Sequence, residues 1–486
     1  MSNHILKKYN EMPLQLKASF WFTVSGFIQK GISLLTTPVF SRLLTTEEFG
    51  VFGIFNTWQN IIIIIASLNL AAGVYLRGLI KYEDDSEIFT KSLQSLYLIN
   101  TIVVFFIYFF GQKLWNRYLD LPTTYMYVMF IDIVVQVSFQ FWSARERVGF
   151  RYKHLVLVTI LNAFFRPVCG IICIVLFDNH IDARIYSMVA VDVLTFGYFF
   201  IRMFSLREPF ISTKYWKYAL AYNLPLIPHY LSQIVLNQSD RIMINSITGK
   251  SDAGIYNLAY SAAAIMVIVN QAIINTYSPW MYKKIKDKEY QNIGSVSMTM
   301  LVIVGSANLA LIMIAPEAIR FMAPSSYYQA IWVVPPGAMS VYFMFMYSLF
   351  SNFEFYYENT RLIMMASVLG AILNIVLNYY FIRLYGFLAA GYTTLVCYFF
   401  YCVFHYFVMK VIIRKQLNNF PVYNIWKIVA LSAFYMFASG MFMFLYNYPV
   451  IRYAIIVISA VVVCVFRNKV KKLIMTVVEL KNKNKE

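Results

Sequence analysis

Charged residues are scarce in this chain. Of its 486 residues, 13% are Asp, Glu, Lys or Arg, and 60% are apolar. A soluble domain usually contains about 25% charged and about 45–50% apolar residues. Apolar runs of roughly 20 residues, enough to cross the hydrocarbon core as a helix, recur along the whole sequence. This composition excludes a soluble globular protein and predicts an all-α polytopic membrane protein.

Residues that usually build disulfides, metal sites or catalytic centres are also few. Each of the five cysteines lies inside an apolar run, so disulfides and zinc sites are not expected. The five histidines are scattered, and the sequence has neither a Gly-rich phosphate loop nor a Ser-His-Asp arrangement. The first apolar run, from about Ala18, is too long for the apolar region of a cleavable signal peptide. We therefore expect a protein that is not an enzyme and has no cofactor.

Positive charge exceeds negative charge, and the net charge is +18. In a soluble protein this excess would suggest nucleic acid as a partner. Here Lys and Arg gather in the connections between apolar runs, so we expect no nucleic acid. Of the 41 Lys and Arg residues, 30 fall on one side of the predicted membrane and 9 on the other. The positive-inside rule then places both termini in the cytoplasm. The basic tail from Lys471 becomes an amphipathic cytoplasmic segment.

Fourteen transmembrane spans are predicted, joined by short loops and without an inserted soluble domain. Their predicted ranges are 18–40, 50–74, 92–111, 123–143, 154–177, 184–204, 217–238, 254–279, 293–314, 328–350, 362–382, 386–409, 425–446 and 449–466.

The sequence contains an internal repeat. Gly50 in "EEFGVFGIF" aligns with Gly254 in "SDAGIYNLAY", an offset of 204 residues. Spans 1 and 2 then correspond to spans 7 and 8, and six spans later the orientation in the membrane is the same. Such a parallel repeat is related by an axis along the membrane normal. Two similar halves suit alternating access, although a channel can be built in the same way.

The repeat predicts three parts in the chain. Residues 1–210 and 211–410 form two pseudo-symmetric six-helix lobes around a central cavity. Residues 411–486 add two C-terminal helices and the basic tail. The lobes are the expected transport machinery, and the last part is an addition to them.

Four charged residues lie near the middle of predicted spans: Lys30, Asp132, Arg166 and Asp192. Each would cost about 2.5–3.5 kcal/mol at the bilayer centre if it faced lipid. They must therefore face water or one another. One interpretation is that the cations pair with the carboxylates and fix the helix register. The other is that Lys30 and Arg166 bind an anionic cargo while a carboxylate carries coupling ions. Both stay open, and they are compatible.

Polar residues form stripes that we expect to line a lumen. In the first span Lys30 shares a stripe with other residues spaced three and four apart. These residues are Ser19, Thr23, Gly26, Ser33 and Thr37. Weaker stripes follow spans 7 and 8, and the lumen candidates there are His229, Gln233, Asn237, Asn257 and Gln271.

Two further positions have two interpretations each. Arg77 ends the second span and is either a snorkelling topology residue or a phosphate contact at the cytoplasmic entrance. Asp240 and Arg241 fall at the outer membrane interface in the predicted topology. They are either a local pair that stabilises the turn between spans 7 and 8, or an outer gate contact.

Several stretches together resemble a known transporter family. They are "LLTTEEFGVFGIF", "RG" after span 2, "NQSDRIMINSITGKSDAGIYNLAY", "YSPWMYKKI" and "YGFLAAGYTTL". The chain is similar over residues 15 to 410 to the polysaccharide-export (Wzx-like) flippases of the multidrug/oligosaccharidyl-lipid/polysaccharide exporter superfamily. Asp240 and Arg241 match the Asp-Arg of that family at the end of helix 7.

This resemblance implies an inner-membrane flippase that carries undecaprenyl-pyrophosphate-linked oligosaccharide to the outer leaflet, for O-antigen, capsule or a similar surface polysaccharide such as lipopolysaccharide. Its partners would be this lipid-linked substrate, membrane lipid, and polymerase and chain-length proteins. The cationic lumen typical of the family fits Lys30, Arg77 and Arg166. Asp132 and Asp192 depart from a purely cationic lumen, which keeps a cation-coupled multidrug antiporter as the alternative. A membrane glycan polymerase would need a large external loop, and the sequence has none.

Overall fold

The computed structural model describes residues 12–205, 211–357, 359–465 and 467. Within these ranges the chain forms eighteen α-helices and no strand. The helices are α1 Leu14–Leu43, α2 Thr46–Ser67, α3 Val74–Lys81, α4 Ser86–Phe110, α5 Gln112–Leu119, α6 Thr123–Val148, α7 Tyr152–Leu176, α8 His180–Ser205, α9 Thr213–Asn223, α10 Ile227–Ile247, α11 Lys250–Lys286, α12 Ile293–Met313, α13 Ala315–Met322, α14 Val334–Tyr356, α15 Thr360–Tyr385, α16 Ala389–Gln416, α17 Ile425–Phe444 and α18 Pro449–Val465. The predicted basic tail from Lys471 lies outside the described residues.

Fourteen of the helices in the described ranges have 17 or more residues, and each overlaps one predicted span. Ten of them are long and apolar enough to cross a membrane. An eleventh is α14 together with the short helical segment Ser325–Trp332 before it, from which it bends by 42°. Helices α1 and α10 have the length but carry too many polar residues, and α18 is too short. The chain is therefore a multi-pass membrane protein, as its composition predicts.

The helix ends reproduce the predicted repeat. Helices α2 and α11 begin at Thr46 and Lys250, and α1 and α10 end at Leu43 and Ile247, which are 204 residues apart in both cases. The two starts use different local chemistry. Thr45 and Glu48 form a capping box at α2, which satisfies two N–H groups that the first helical turn leaves free. Before α11 the chain turns through Gly249, whose φ of 108° suits a residue without a side chain.

The predicted second span is wrong at its C-terminal end. Helix α2 stops at Ser67, and Leu68 and Asn69 adopt left-handed conformations with φ of 51° and 49°. The side chain of Asn100 from α4 donates to the carbonyls of residues 65 and 66, both at 2.8 Å. These bonds satisfy carbonyl groups that the last turn of a helix leaves free. Arg77 consequently belongs to the separate short helix α3, whereas α11 in the second repeat continues without a break.

The predicted seventh span also needs correction. Residues 217–223 belong to the short helix α9, and a 3-10 turn at Leu224–Leu226 separates them from α10. Because Pro225 lacks a backbone N–H, it fits the first positions of a helical segment and not its interior. The long helix therefore runs from Ile227 to Ile247, later than the predicted 217–238. This shift moves Asp240 from the end of the span into its interior.

The chain divides into two compact units, residues 1–234 and residues 235–486. The core of the first unit is aromatic, with Tyr75 packed edge-on against Phe141 at 4.7 Å between ring centroids. In the second unit α14 packs against α16, α11 and α12, and Tyr342 stacks on Tyr435 at 4.3 Å. The predicted three-part division at residues 210 and 410 stays a prediction.

Candidate functional site

The first unit holds an ion pair inside its helices. The Nη2 atom of Arg166 in α7 lies 3.1 Å from Oδ2 of Asp192 in α8. The Asp192 side chain is fully buried, while 30% of the Arg166 side chain remains exposed. Two of the four predicted mid-span charges therefore neutralise each other, and the guanidinium keeps an open side.

A second buried carboxylate extends this pair. Gln136 donates to Asp132 at 2.9 Å and to Asp192 at 3.2 Å, so that it links the two carboxylates. Asn162 donates to the other oxygen of Asp192 at 2.8 Å, and Gln59 donates to Asp132. We call Asp132, Asp192, Arg166, Gln136, Asn162 and Gln59 the acidic cluster. Its two carboxyl groups face one guanidinium.

The uncharged members of the acidic cluster are not among the site residues predicted from the sequence. Gln136 follows Asp132 by four residues, and Asn162 precedes Arg166 by four residues. Residues four apart lie on one helix face. Pairs of polar residues at this spacing inside apolar runs were therefore the signal that could have identified them. Gln59 has no such neighbour, and only the packing of α2 against α6 shows its role.

Lys30 lies apart from the acidic cluster. Its side chain is exposed, and it has no ion-pair or hydrogen-bond partner among the described residues. Ser19, Thr23 and Ser33 on the same stripe are exposed as well, whereas Gly26 and Thr37 are half-buried. Within the first unit, this stripe faces away from the core.

Arg77 in α3 is also exposed. Its guanidinium lies over the ring of Tyr222 from α9, 5.5 Å from the ring centroid. Such a contact is worth about 0.5–1 kcal/mol at an exposed site, so it orients the side chain without burying its charge. Among the described residues, neither Lys30 nor Arg77 is paired with a carboxylate.

The second unit contains a buried carboxylate with neutral donors. Asp240 accepts hydrogen bonds from Tyr256 at 2.5 Å, Asn378 at 2.6 Å and Thr394 at 2.9 Å. Its side chain is almost completely buried in α10, so it does not lie in an exposed turn. Asn374 extends the network by accepting from Asn378 at 3.1 Å.

Arg241 contacts other groups than Asp240. Its Nε donates to Asn257 at 2.8 Å, and its guanidinium lies 4.5 Å from the centroid of the Tyr260 ring. The two adjacent residues therefore anchor α10 to different neighbours. Asp240 ties it to α11, α15 and α16, and Arg241 ties it to α11.

The remaining lumen candidates have mixed environments. Asn237 accepts from the Tyr398 hydroxyl at 2.6 Å, and Gln271 is exposed and donates to Asn275 at 2.7 Å. Gln233 is half-buried. His229 is half-buried too, and its Nδ1 has no hydrogen-bond partner among the described residues. The structure does not gather these candidates into one cluster.

The second unit also holds a buried His–Glu contact that sequence reasoning missed. His405 Nδ1 in α16 lies 2.6 Å from Glu354 Oε1 in α14, and their side chains are 1% and 0% exposed. The rings of Tyr347 and Tyr401 contact the imidazole. His405 is a single polar position in the aromatic run 398–407, and Glu354 lies beyond the predicted span 328–350, so neither carries the spacing signal described above.

No metal centre is evident in the described ranges. No group of three or more His, Cys, Asp and Glu side chains there has a metal-binding arrangement. The acidic cluster and the Asp240 network instead surround carboxylates with amide and hydroxyl groups. Oxygen ligands of this kind suit protons and hard cations.

Solved transporters share this fold. The structure matches the lipid II flippase MurJ in an inward closed conformation with a TM-score of 0.68 and 14% identity, over 92% of this chain and 99% of that one. An outward-facing MATE family multidrug resistance transporter gives 0.59 and 13%, over 83% and 96%. A MOP superfamily transporter from Pyrococcus furiosus gives 0.56 and 12%, over 83% and 96%. The chain has the fold of the MOP superfamily transporters.

The sequence places the chain within this class. The sequence profile described as "Polysaccharide biosynthesis protein" matches residues 15–285. This match covers more than half of the chain, so the chain belongs to the polysaccharide biosynthesis protein family. A Lsg locus protein of Haemophilus influenzae is 22% identical over 389 residues, which is 74% of this chain and 88% of that protein. The resemblance to polysaccharide-export flippases is thus confirmed at the level of the family.

Proposed function

We propose that this protein flips undecaprenyl-pyrophosphate-linked oligosaccharide units across the bacterial inner membrane by alternating access, with both termini in the cytoplasm. The units would serve O-antigen, capsule or a similar surface polysaccharide. The observation that carries the proposal is the family match over residues 15–285 in a chain with the fold of a lipid II flippase. That flippase acts on lipid II, as its name states.

The chemistry of the first unit suits such a cargo. A sugar chain with a pyrophosphate cannot cross hydrocarbon without losing its water, which is costly for each polar group. A flippase must therefore offer polar and positive groups along a membrane-embedded face. The exposed stripe of α1 with Lys30 has this character, because it is hydroxyl-rich and holds a cation without a carboxylate partner in the described ranges.

We assign the phosphate contacts to Lys30 and Arg77, and a conditional contact to Arg166. The first two cations are exposed, whereas Arg166 shares its charge with Asp192. An anion that approaches the open side of Arg166 would compete with Asp192 for the guanidinium. Cargo binding would then leave the two carboxyl groups of the acidic cluster, Asp132 and Asp192, without their cation, and the cluster would take up a proton or cation.

The test is deletion of the gene in its own host. Cells without the protein should accumulate the lipid-linked unit on the cytoplasmic side and lose the surface polysaccharide. Mass spectrometry of the accumulated lipid would identify the sugars. Unchanged surface glycan in a strain without a second flippase would contradict the proposal.

A cation-coupled antiporter for small amphiphiles is the second candidate. The acidic cluster favours it, because two carboxyl groups face one guanidinium and leave a site for a coupling ion. The multidrug transporter with the same fold is consistent with it. Drug efflux from cells that express the chain, with normal surface glycan in the deletion strain, would favour this function over the first.

A further inference from the structure

The first unit contains a cavity of about 810 Å³. Its walls come from the first turns of α4 and α7 and the last turns of α6 and α8. Consecutive spans run antiparallel, so these ends meet at one end of the unit. The connections at this end are the Lys- and Arg-rich ones that we propose to be cytoplasmic. We call it the unit 1 cavity.

Charged side chains surround the opening of the unit 1 cavity. Arg145 lies 3.2 Å from Glu87, and Arg151 lies 2.9 Å from Glu146. Arg202 adds a third guanidinium to the lining, which makes three arginines and two glutamates. The arginine side chains of the two pairs remain 34% and 59% exposed. Since a guanidinium has five N–H donors, each paired arginine retains donors for an anionic ligand.

The walls of the cavity are aromatic. Trp142 and Phe199 stack at 4.2 Å between ring centroids, and Tyr198 beside them is 62% exposed. Ligand sites of about 300–1,000 Å³ typically combine such walls with a few fixed polar groups. The size and lining therefore suit a compact organic ligand with both an apolar face and an anionic group.

One buried polar atom identifies the chemistry more closely. Gln94 lines the cavity with a side chain only 7% exposed, and its Oε1 has no hydrogen-bond partner among the described residues. An unsatisfied buried acceptor costs about 1–3 kcal/mol. A phosphate oxygen cannot satisfy it, because both are acceptors. A hydroxyl group can satisfy it.

We propose that the unit 1 cavity binds a sugar phosphate. The phosphate contacts the rim guanidinium groups of Arg145, Arg151 and Arg202, the sugar ring lies against the aromatic wall, and a sugar hydroxyl donates to Gln94. This inference rests on the proposed function in one respect, because a sugar phosphate also forms the headgroup of a lipid-linked glycan. A soluble sugar phosphate has the same chemistry.

The cavity also contacts the acidic cluster. Thr195 lines the cavity, and Asn162 donates both to Thr195 at 2.9 Å and to Asp192 at 2.8 Å. A ligand that contacts Thr195 would shift the Asn162 side chain and so change the hydrogen bond that Asn162 donates to Asp192. Ligand binding in the cavity would thereby affect the Arg166–Asp192 ion pair.

The experiment uses the full chain in phosphatidylcholine nanodiscs and isothermal titration calorimetry. Glucose 1-phosphate is the probe, with inorganic phosphate and methyl glucoside as its two halves. Glucose 1-phosphate should bind saturably and at least about tenfold more tightly than either half, as expected for charge-assisted and hydroxyl contacts made together. Absence of saturable binding at millimolar concentration, or equal binding of inorganic phosphate, would overturn the proposal.

Four variants locate the binding. Arg145→Gln should weaken binding about tenfold, the factor that corresponds to roughly 1.4 kcal/mol. Glu87→Gln should tighten it, because it frees Arg145. Gln94→Leu should remove the preference for glucose 1-phosphate over inorganic phosphate. Arg117→Gln changes an exposed arginine in α5, at the other end of the unit, and should have no effect. Shifts of the same sign for Arg145→Gln and Glu87→Gln would contradict the assignment.

A competition arm separates the two sources of ligand. Polyprenyl-phosphate-linked glucose in the nanodisc should displace glucose 1-phosphate if the cavity receives a lipid headgroup, and should leave it bound if the ligand is soluble.

The experiments distinguish a wrong assignment of the cavity from a wrong assignment of the flippase function. Loss of surface glycan on deletion without sugar phosphate binding rejects the cavity alone. Binding with the predicted variant pattern and unchanged glycan rejects the flippase function alone.

Discussion

Arg166 and Asp192 join α7 to α8 through a contact of 3.1 Å in which only the arginine reaches the surface. The carboxylate is fully buried and also accepts from Asn162 and Gln136. The pair is therefore both a structural link and a charge that a ligand can approach from one side. The two sequence interpretations of these charges, register and cargo contact, need not exclude each other.

Arg166→Ala should lower the protein level and reduce export. Removing one partner of a buried pair costs about 3–5 kcal/mol when the other charge is left uncompensated, and the partial exposure of Arg166 puts the expected loss near the lower value. The double variant Arg166→Ala/Asp192→Asn should recover the protein level in part, because Asp192 is then neutral and Asp132 is the one carboxyl group left in the acidic cluster. Immunoblotting of membranes measures the level, and surface glycan measures export.

The double variant separates the two roles. If it restores the protein level but not export, Arg166 also serves the cargo. If it restores both, the pair is structural only. Arg117→Ala, an exposed arginine in α5, is the matched control and should change neither quantity.

Lys30→Ala should abolish or sharply reduce export at an unchanged protein level. In the described ranges Lys30 has no ion-pair partner that its removal would leave uncompensated. Substitutions at exposed positions usually change the free energy of unfolding by less than about 0.5 kcal/mol. A lost charge-assisted phosphate contact, in contrast, is worth about 1.5–3 kcal/mol, or tenfold and more in affinity. Lys30→Arg should retain most export. Lys113→Ala, another exposed lysine of the first unit, should export normally, and full export by Lys30→Ala would remove Lys30 from the proposed site.

Glu354→Ala should destabilise the second unit. The partner His405 is 1% exposed, so its imidazole would keep a buried polar atom without a partner, at a cost of about 1–3 kcal/mol. The pair of the half-buried Lys284 and the exposed Glu289 provides the control, since a pair at the surface contributes about 0–1 kcal/mol. The melting temperature in detergent should therefore fall for Glu354→Ala and stay nearly constant for Glu289→Ala. Equal shifts in melting temperature would show that burial does not determine how much each pair contributes to stability.

Asp240→Asn should destabilise α10 without removing volume. The Oδ2 of Asp240 accepts from both Tyr256 and Thr394, while Oδ1 accepts from Asn378. An amide nitrogen must replace one of these oxygens, so at least one of the three donors loses its acceptor. The expected cost is about 1–3 kcal/mol for the unsatisfied group. Tyr256→Phe removes only one donor and should lower the melting temperature less, and the reverse order would contradict the hydrogen-bond assignment.

The helices could be predicted from the sequence because their causes are local. Apolar runs give the fourteen long helices, and the motif around Thr45 and Glu48 gives the start of α2. The break after Ser67 could not be predicted, because Asn100 from another helix caps it. Helix rotation is likewise a matter of packing. It decides that Arg166 meets Asp192 while Lys30 faces away from the core of its unit.

Asp132→Asn should preserve the protein and change its energetic coupling. The acidic cluster holds two carboxyl groups against one guanidinium, and Oδ1 of Asp132 is buried without a hydrogen-bond partner among the described residues. Replacing this carboxyl group by an amide leaves the Arg166–Asp192 pair balanced and removes the group that would take up a coupling ion. Export in cells or vesicles should then lose its response to an imposed proton or sodium gradient, while the protein level stays the same. Asn162→Ala is the comparison, because it removes a hydrogen bond to Asp192 but no titratable group. If Asp132→Asn responds to both gradients as the unmodified protein does, Asp132 is not the coupling site, and the cluster only holds α6, α7 and α8 together.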